Sequence, residues 1–179
     1  SNNLKIGVFL PFNRDSIVFP LKGYQKFAFD FYMGVMAGID SLKRIDLTGD
    51  LYFFDYQSKE ESIDQLIRSG KIDRFDLFIG PMHPVECEKL SQFSSEKGIP
   101  LILPLPQTSM SEQMSHNEQL FMIASEITNQ INMLGKFLGE HSLEKQVVLY
   151  QTGLTSDTTL ERQFIRNFYE FAPKNVRLI

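Results

Sequence analysis

The sequence predicts an α/β protein whose sheet is mostly parallel. Three observations carry this. Short apolar runs rich in β-forming residues recur along the chain, and stretches with apolar residues at a period of 3.6 lie between them. The runs are nearly continuous, as strands buried on both faces are. Pro and Gly punctuate many of the boundaries.

The first run, Lys5 to Phe12 (KIGVFLPF), reads as a buried strand ended by Pro11. The loop that follows, roughly Asn13 to Tyr24, is long for a βα connection, where about 2–6 residues is usual. Long loops at strand ends often carry function. Gln25 to Lys43 reads as a helix with Phe27, Phe31, Gly34, Val35, Gly38, Ile39 and Leu42 on one face. Gly34 and Gly38 each cost about 1 kcal/mol of helix propensity against Ala, so a close approach of helix to sheet is the expected compensation. Leu51 to Tyr56 (LYFFDY) is the second strand. Ser58 and Glu61 fit a capping box for a helix carrying Ile63, Leu66 and Ile67, with Gly70 placed to end it. Asp76 to Gly80 (DLFIG) is the third strand. Pro84 suits the first turn of a helix that buries Val85, Leu90 and Phe93 and stops at Gly98. Pro100 to Leu105 is the fourth strand, Pro106 to Gln119 a polar loop, and Gln119 to Ala124 a short fifth strand. Glu126 to His141 is a helix with Ile127, Ile131, Leu134 and Leu138 on one face. Gln146 to Tyr150 is a strand, Thr158 to Phe171 a helix, and Asn175 to Ile179 the start of another strand.

Composition narrows the function classes. The net charge is −4 and no Lys/Arg cluster stands out. Nucleic-acid binders draw most of their affinity from phosphate neutralisation, so no nucleic-acid partner is expected. Cys87 is the only cysteine, which excludes an internal disulfide. No apolar run approaches the roughly 18 residues that span a membrane. The chain starts Ser1-Asn2-Asn3 without an initiator Met or signal peptide, as a processed or excised chain would.

Catalytic and cofactor signatures are missing. The turn after the first strand reads PFNRDS, without the glycines that let a backbone approach a pyrophosphate. There is no G-x-x-x-x-G-K-[ST] loop and no G-x-S-x-G elbow. His83, Glu86 and Cys87 could share a helical face, but a metal site wants a further ligand and a supporting shell. A helix-start His and a small buried thiol is the plainer account. No cofactor, no metal and no catalytic residue are expected.

Position is what remains. Ligands of open α/β sheets sit outside the carboxyl ends of the strands. The candidate ligand-binding residues there are Phe12, Asn13, Tyr56, Gln57, Met82, His83, Gln107, Thr108, Ser109 and Tyr150. They offer rings, amides and hydroxyls but little charge, which suits holding a small polar molecule better than acid–base work. Ordinary loop residues would look the same, and both readings stand.

The order of segments resembles the type I periplasmic binding proteins, and among them the branched-chain amino-acid receptors of ABC transporters. The matching pieces are KIGVFLPF, the helix FYMGVMAGID, DLYFFDYQSKEESIDQLI with Asp55, and FDLFIGPMHPVE. EKGIPLILPLPQTS follows, then QLFMIASEITNQINMLGKFL as the crossing into a second lobe, and EKQVVLYQT as that lobe's first strand. The resemblance implies a three-layer parallel sheet and two lobes hinged around a ligand cleft. Residues 1–121 would form the first lobe and 122–179 the start of an incomplete second lobe, so the chain resembles a fragment. It further implies a non-catalytic, periplasmic or cell-envelope location. The implied partners are a small-molecule ligand such as an amino acid, and a membrane transporter or envelope protein. Two departures stand out. Pro84 lies where the family places a Ser, and proline has no N–H to give a carboxylate. After Tyr150's strand, Gln151-Thr152-Gly153-Leu154 replaces the family's Tyr-Gly pair. An envelope regulator that binds a protein partner on the same fold is therefore the alternative, and a flavodoxin-like enzyme ranks last because no phosphate-cradling loop is visible.

Overall fold

The computed structural model describes residues 3–42, 49–106, 117–142, 147–150, 153–154, 157–174 and 176–179. The chain divides into two compact units, 1–124 and 125–179.

The first unit is built on five parallel strands: β1 (Leu4–Leu10), β2 (Gly49–Asp55), β3 (Leu77–Ile79), β4 (Leu101–Leu103) and β5 (Leu120–Met122). Their order across the sheet is β2-β1-β3-β4-β5. β1 runs beside β2 over its whole length, from Leu4 opposite Gly49 to Leu10 opposite Asp55. On its other side, Ile6 to Val8 pair with Leu77 to Ile79. A strand with neighbours on both edges and helices on both faces has no wet side. Val8, Phe9 and Leu10 are accordingly wholly buried, which explains the unbroken apolar run in the sequence.

The pleat sends alternate side chains to two cores. Phe9 joins Phe54, Tyr56, Phe78, Leu101, Leu103 and Leu120 beneath α2 (Ile63–Arg68) and α3 (Pro84–Lys97). Val8 and Leu10 join Met82 and Ala28 under α1 (Gly23–Leu42), with Phe31 and Tyr32 at the margin. The result is the expected three-layer α/β arrangement. Gly7 leaves room for aromatic rings on the sheet: a Cβ there would lie 3.2–3.4 Å from Phe9, Phe78 and Phe75. Gly80 is more constrained. Its φ is +90°, and a Cβ would lie 2.2 Å from the Phe9 carbonyl oxygen, so only glycine lets β3 end against β1.

Helix boundaries follow local chemistry, with two corrections. The capping box of α2 is Ser62 with Gln65, four residues beyond the expected Ser58 and Glu61. The Ser62 hydroxyl accepts the Gln65 amide at 3.3 Å, and the Gln65 side chain accepts the Ser62 amide at 3.0 Å. α3 begins at Pro84 and ends at Gly98 in the left-handed region (φ 67°), as predicted. It buries Cys87, Leu90 and Phe93, whereas Val85, expected inside, is exposed.

The second unit pairs α4 (Ile127–Glu140) with α5 (Thr158–Phe171). Phe164 and Phe168 of α5 are buried. On α4 the covered face is Gly135 and Gly139, while Ile127 and Leu134 are exposed. A Cβ at Gly139 would meet the Phe168 carbonyl oxygen at 2.6 Å, and one at Gly135 the Phe164 carbonyl oxygen at 2.9 Å. The last two expected strands reduce, among the described residues, to a parallel bridge between Val147 and Leu178. The Leu149 amide donates to the Ile179 carbonyl at 2.9 Å.

The glycines of α1 contradict the sequence reading. Nothing lies within 4 Å of a Cβ built at Gly34 or Gly38, so neither marks a close approach to the sheet. Gly34→Ala is expected to be neutral or to stabilise by up to about 1 kcal/mol through helix propensity. Gly139→Ala is expected to cost about 1–3 kcal/mol by overpacking. Denaturant titration of the two variants checks the contrast; equal effects would overturn it.

Candidate functional site

Burial of a carboxylate at the end of β2 organises the strand ends. Asp55 is buried, and a buried charge needs donors. Its Oδ1 accepts the Asn13 amide at 3.0 Å and the Gln57 amide at 3.3 Å, and its Oδ2 accepts the Arg14 amide at 2.8 Å. Asn13 sits in the left-handed region (φ 50°), which turns the chain so that successive amides face the carboxylate. Around this anchor, Arg14 pairs with Glu60 at 3.3 Å and Glu61 at 3.7 Å, and Glu61 pairs with Lys71 at 3.2 Å. These outer pairs are solvent-exposed on at least one side and add little.

Tyr56 follows Asp55 and points to the other face of the sheet. Its ring is buried, and its hydroxyl oxygen lies 2.6 Å from His83 Nδ1 and accepts the Met82 amide at 3.2 Å. Burial raises the phenol pKa, so the hydroxyl stays protonated. His83 stands at the N-cap of α3 without capping it. Its imidazole lies against the Tyr24 ring, with centroids 4.2 Å apart, and Gln57 Nε2 is 3.5 Å from His83 Nε2. Burial lowers the His83 pKa, partly offset by the Glu86 charge.

The sequence-predicted residues separate as follows. Asn13, Tyr56, Gln57 and His83 lie at neighbouring strand ends, joined by the contacts above. Phe12 turns inward against Phe29 and Tyr32 of α1, at centroid distances of 5.1 and 6.0 Å. With Arg14, Phe53, Asp55 and Glu61 it lines a cavity of about 310 Å³. The Met82 side chain is wholly buried, so its contribution at the strand end is its amide. Gln107, Thr108 and Ser109 lie outside the described residues. Tyr150 belongs to the second unit, where it is 93% exposed and lines a groove with Ile165, Tyr169 and Leu178. Sequence reasoning missed Tyr24, which belongs to the first turn of α1, and the tethering role of Asp55. A carboxylate within an otherwise apolar strand was the available signal for the latter.

Cys87 behaves as a structural thiol. It is wholly buried, its Sγ lies 3.4 Å from the Pro81 carbonyl oxygen, and burial pushes its pKa up to about 12. Among the described residues, no group of three or more His, Cys, Asp or Glu side chains is placed to hold a metal ion.

Two outcomes follow from this geometry. Asp55→Ala removes an acceptor from the β1–α1 turn and is expected to cost about 2–3 kcal/mol, at the scale of hydrogen bonds to charged groups, with Asp55→Asn losing less; chemical denaturation measures both. His83 has a lowered folded pKa, so the unfolded chain takes up this proton first. The stability it contributes is complete above pH 6.5 and declines as pH falls below that value, until the folded imidazole also protonates. His83→Gln is expected to flatten this part of the stability–pH curve, and an unchanged curve would contradict the assignment.

Comparison with known proteins gives one kind of match. No family model matches the sequence, and no curated protein does. Solved structures do. A leucine binding protein from Thermotoga maritima superposes with a TM-score of 0.55 at 17% identity, covering 98% of this chain and 48% of its own. An ABC-type branched-chain amino acid transporter protein from Rhodopseudomonas palustris gives 0.62 at 14% identity, covering 98% of this chain and 46% of its own. A solute binding protein from R. palustris in complex with benzoate gives 0.58 at 15% identity, covering 99% and 48%. The chain spans about half the length of these proteins. At such identities the likeness is one of architecture: nearly the whole of this chain matches about half of the type I periplasmic-binding fold seen in these substrate-binding proteins.

Proposed function

We propose that the chain is part of an extracytoplasmic solute-binding or sensing protein that holds a small polar ligand without transforming it. In this reading residues 1–121 are the ligand-facing part of one lobe and 122–179 begin a second. The observation that carries it is the cluster of Asn13, Tyr24, Tyr56, Gln57 and His83 at the carboxyl ends of parallel strands. This is where ligands of open α/β sheets bind. The side chains offer hydrogen bonds and rings, and the one hydroxyl–imidazole pair among them, Tyr56 with His83, has its phenol buried and its pKa raised, which supports binding rather than catalysis. Amino acids or aromatic carboxylates are the ligand classes suggested by the structural neighbours, which include a leucine binding protein and proteins in complex with isoleucine and benzoate. Gln107, Thr108 and Ser109 belong to the proposed set. A membrane transporter or another envelope protein is the proposed partner, in the periplasm or cell envelope.

A protein-binding envelope domain on the same fold is the second reading. Pro84 favours it, because a first-turn residue without an N–H removes one donor that a ligand carboxylate would use.

Thermal-shift and calorimetric screening of the intact protein against amino acids, short peptides and aromatic carboxylates separates the two. A ligand at 100 times its Kd stabilises by about 2.7 kcal/mol, a shift of several degrees in Tm. A broad panel without a hit, together with a protein partner recovered from envelope extract, would overturn the first reading.

A further inference from the structure

The hydrogen bonds around Tyr56 leave its hydroxyl proton one destination. The hydroxyl oxygen accepts the Met82 amide at 3.2 Å, and His83 Nδ1 lies 2.6 Å from it. A phenol has one proton to donate. An amide N–H cannot accept it, so the proton goes to His83 Nδ1. The reverse arrangement, Nδ1–H donating to the phenol, would bring a second donor to the oxygen and leave the buried O–H without an acceptor among the described residues. A neutral imidazole that accepts at Nδ1 carries its proton on Nε2.

That nitrogen lies beside the exposed Gln57 amide, with Gln57 Nε2 3.5 Å from His83 Nε2. Two N–H groups do not bond to each other, so the Gln57 amide serves this donor only when its oxygen is turned toward His83. Tyr24 covers the imidazole from α1. From α3, Glu86 contributes the nearby negative charge.

We infer that Tyr56 is a positioning residue that fixes His83 in the Nε2–H tautomer, so that this strand end presents a hydrogen-bond donor and selects a ligand whose inner group is an oxygen acceptor, a carboxylate or carbonyl, over one that presents an ammonium there. The assignment deepens the solute-binding reading and rests on it for the ligand, but the tautomer can be measured without one. It gives the site a donor where Pro84 supplies no amide.

The test has two arms. In the first, long-range proton–nitrogen correlation spectra of the imidazole nitrogens are recorded on ligand-free protein, with His116 and His141 as internal references. His83 is expected to show an unprotonated Nδ1 and a protonated Nε2, and Tyr56→Phe to turn this into a mixture of tautomers. A protonated Nδ1 in the wild type, or an unchanged tautomer in Tyr56→Phe, overturns the inference. Tyr56→Phe keeps the buried ring, and if it fails to fold the wild-type spectrum still decides. In the second arm, L-leucine and sodium benzoate are titrated into wild type, His83→Gln, which keeps an N–H donor, and His83→Phe. Binding within about threefold of wild type for His83→Gln and weakened at least tenfold for His83→Phe supports the inference. Equal binding by all three overturns it and leaves solute binding standing. Binding of neither compound, with the tautomer as stated, counts against solute binding and leaves the positioning role of Tyr56 in place.

Discussion

The strand ends of the first unit depend on one buried carboxylate. Asp55 closes β2 and, through the Asn13 and Arg14 amides, fixes where the chain leaves β1. Phe12 is thereby turned into the α1 side of the sheet, while Tyr56, the residue just after β2, is sent to the opposite core. Without a tether the long β1–α1 connection would be free to swing. Amide donors from a left-handed turn satisfy the charge more rigidly than a flexible Lys or Arg would, because backbone groups carry no rotamer freedom to lose. The Arg14–Glu61–Lys71 chain outside it is solvated and follows the anchor.

Aromatic residues do much of the filling between the layers. Phe9 stacks on Phe54 at 5.1 Å and meets Phe78 edge-on at 5.4 Å. Phe75 reaches in over Gly7, where no side chain competes for the space. The two faces of the sheet are unequal. The α2/α3 side holds a broad set of covered residues, whereas under α1 the covered ones among the described residues are Val8, Leu10, Ala28 and Met82. The polar strand ends therefore sit above a firm floor on one side and a thinner one on the other.

Much of this was legible in the sequence, for identifiable reasons. KIGVFLPF and DLFIG read as buried parallel strands because a strand covered on both faces has no polar alternation to confuse it. Pro84 and Gly98 marked both ends of α3 because each has a conformational reason to be there. Periodicity failed at the glycines. It shows that Gly34 and Gly38 share a face, and likewise Gly135 and Gly139, but not which face meets a neighbour; the structure covers the second pair and leaves the first open. The capping box was misplaced because two Ser-x-x-(Glu/Gln) spacings lie four residues apart and only tertiary contact picks between them. At the strand ends, Tyr56 and His83 followed from strand order. Tyr24 did not, because its approach to His83 depends on how α1 lies across the sheet.

The pairing of β1 also sets the order in which this chain can assemble. Lys5 and Asp76 exchange two hydrogen bonds, the Lys5 amide to the Asp76 carboxylate and the Asp76 amide to the Lys5 carbonyl, across a separation of 71 positions. Contacts that distant form slowly, since a long loop must close before they contribute. During synthesis β1 precedes both of its partners: one edge stays open until β2 has left the ribosome, and the other until β3 has. An apolar strand open on both edges is prone to pair with other chains. A strand that ends up inside the finished sheet, with a neighbour on each edge, is thus open to misassembly before that sheet exists.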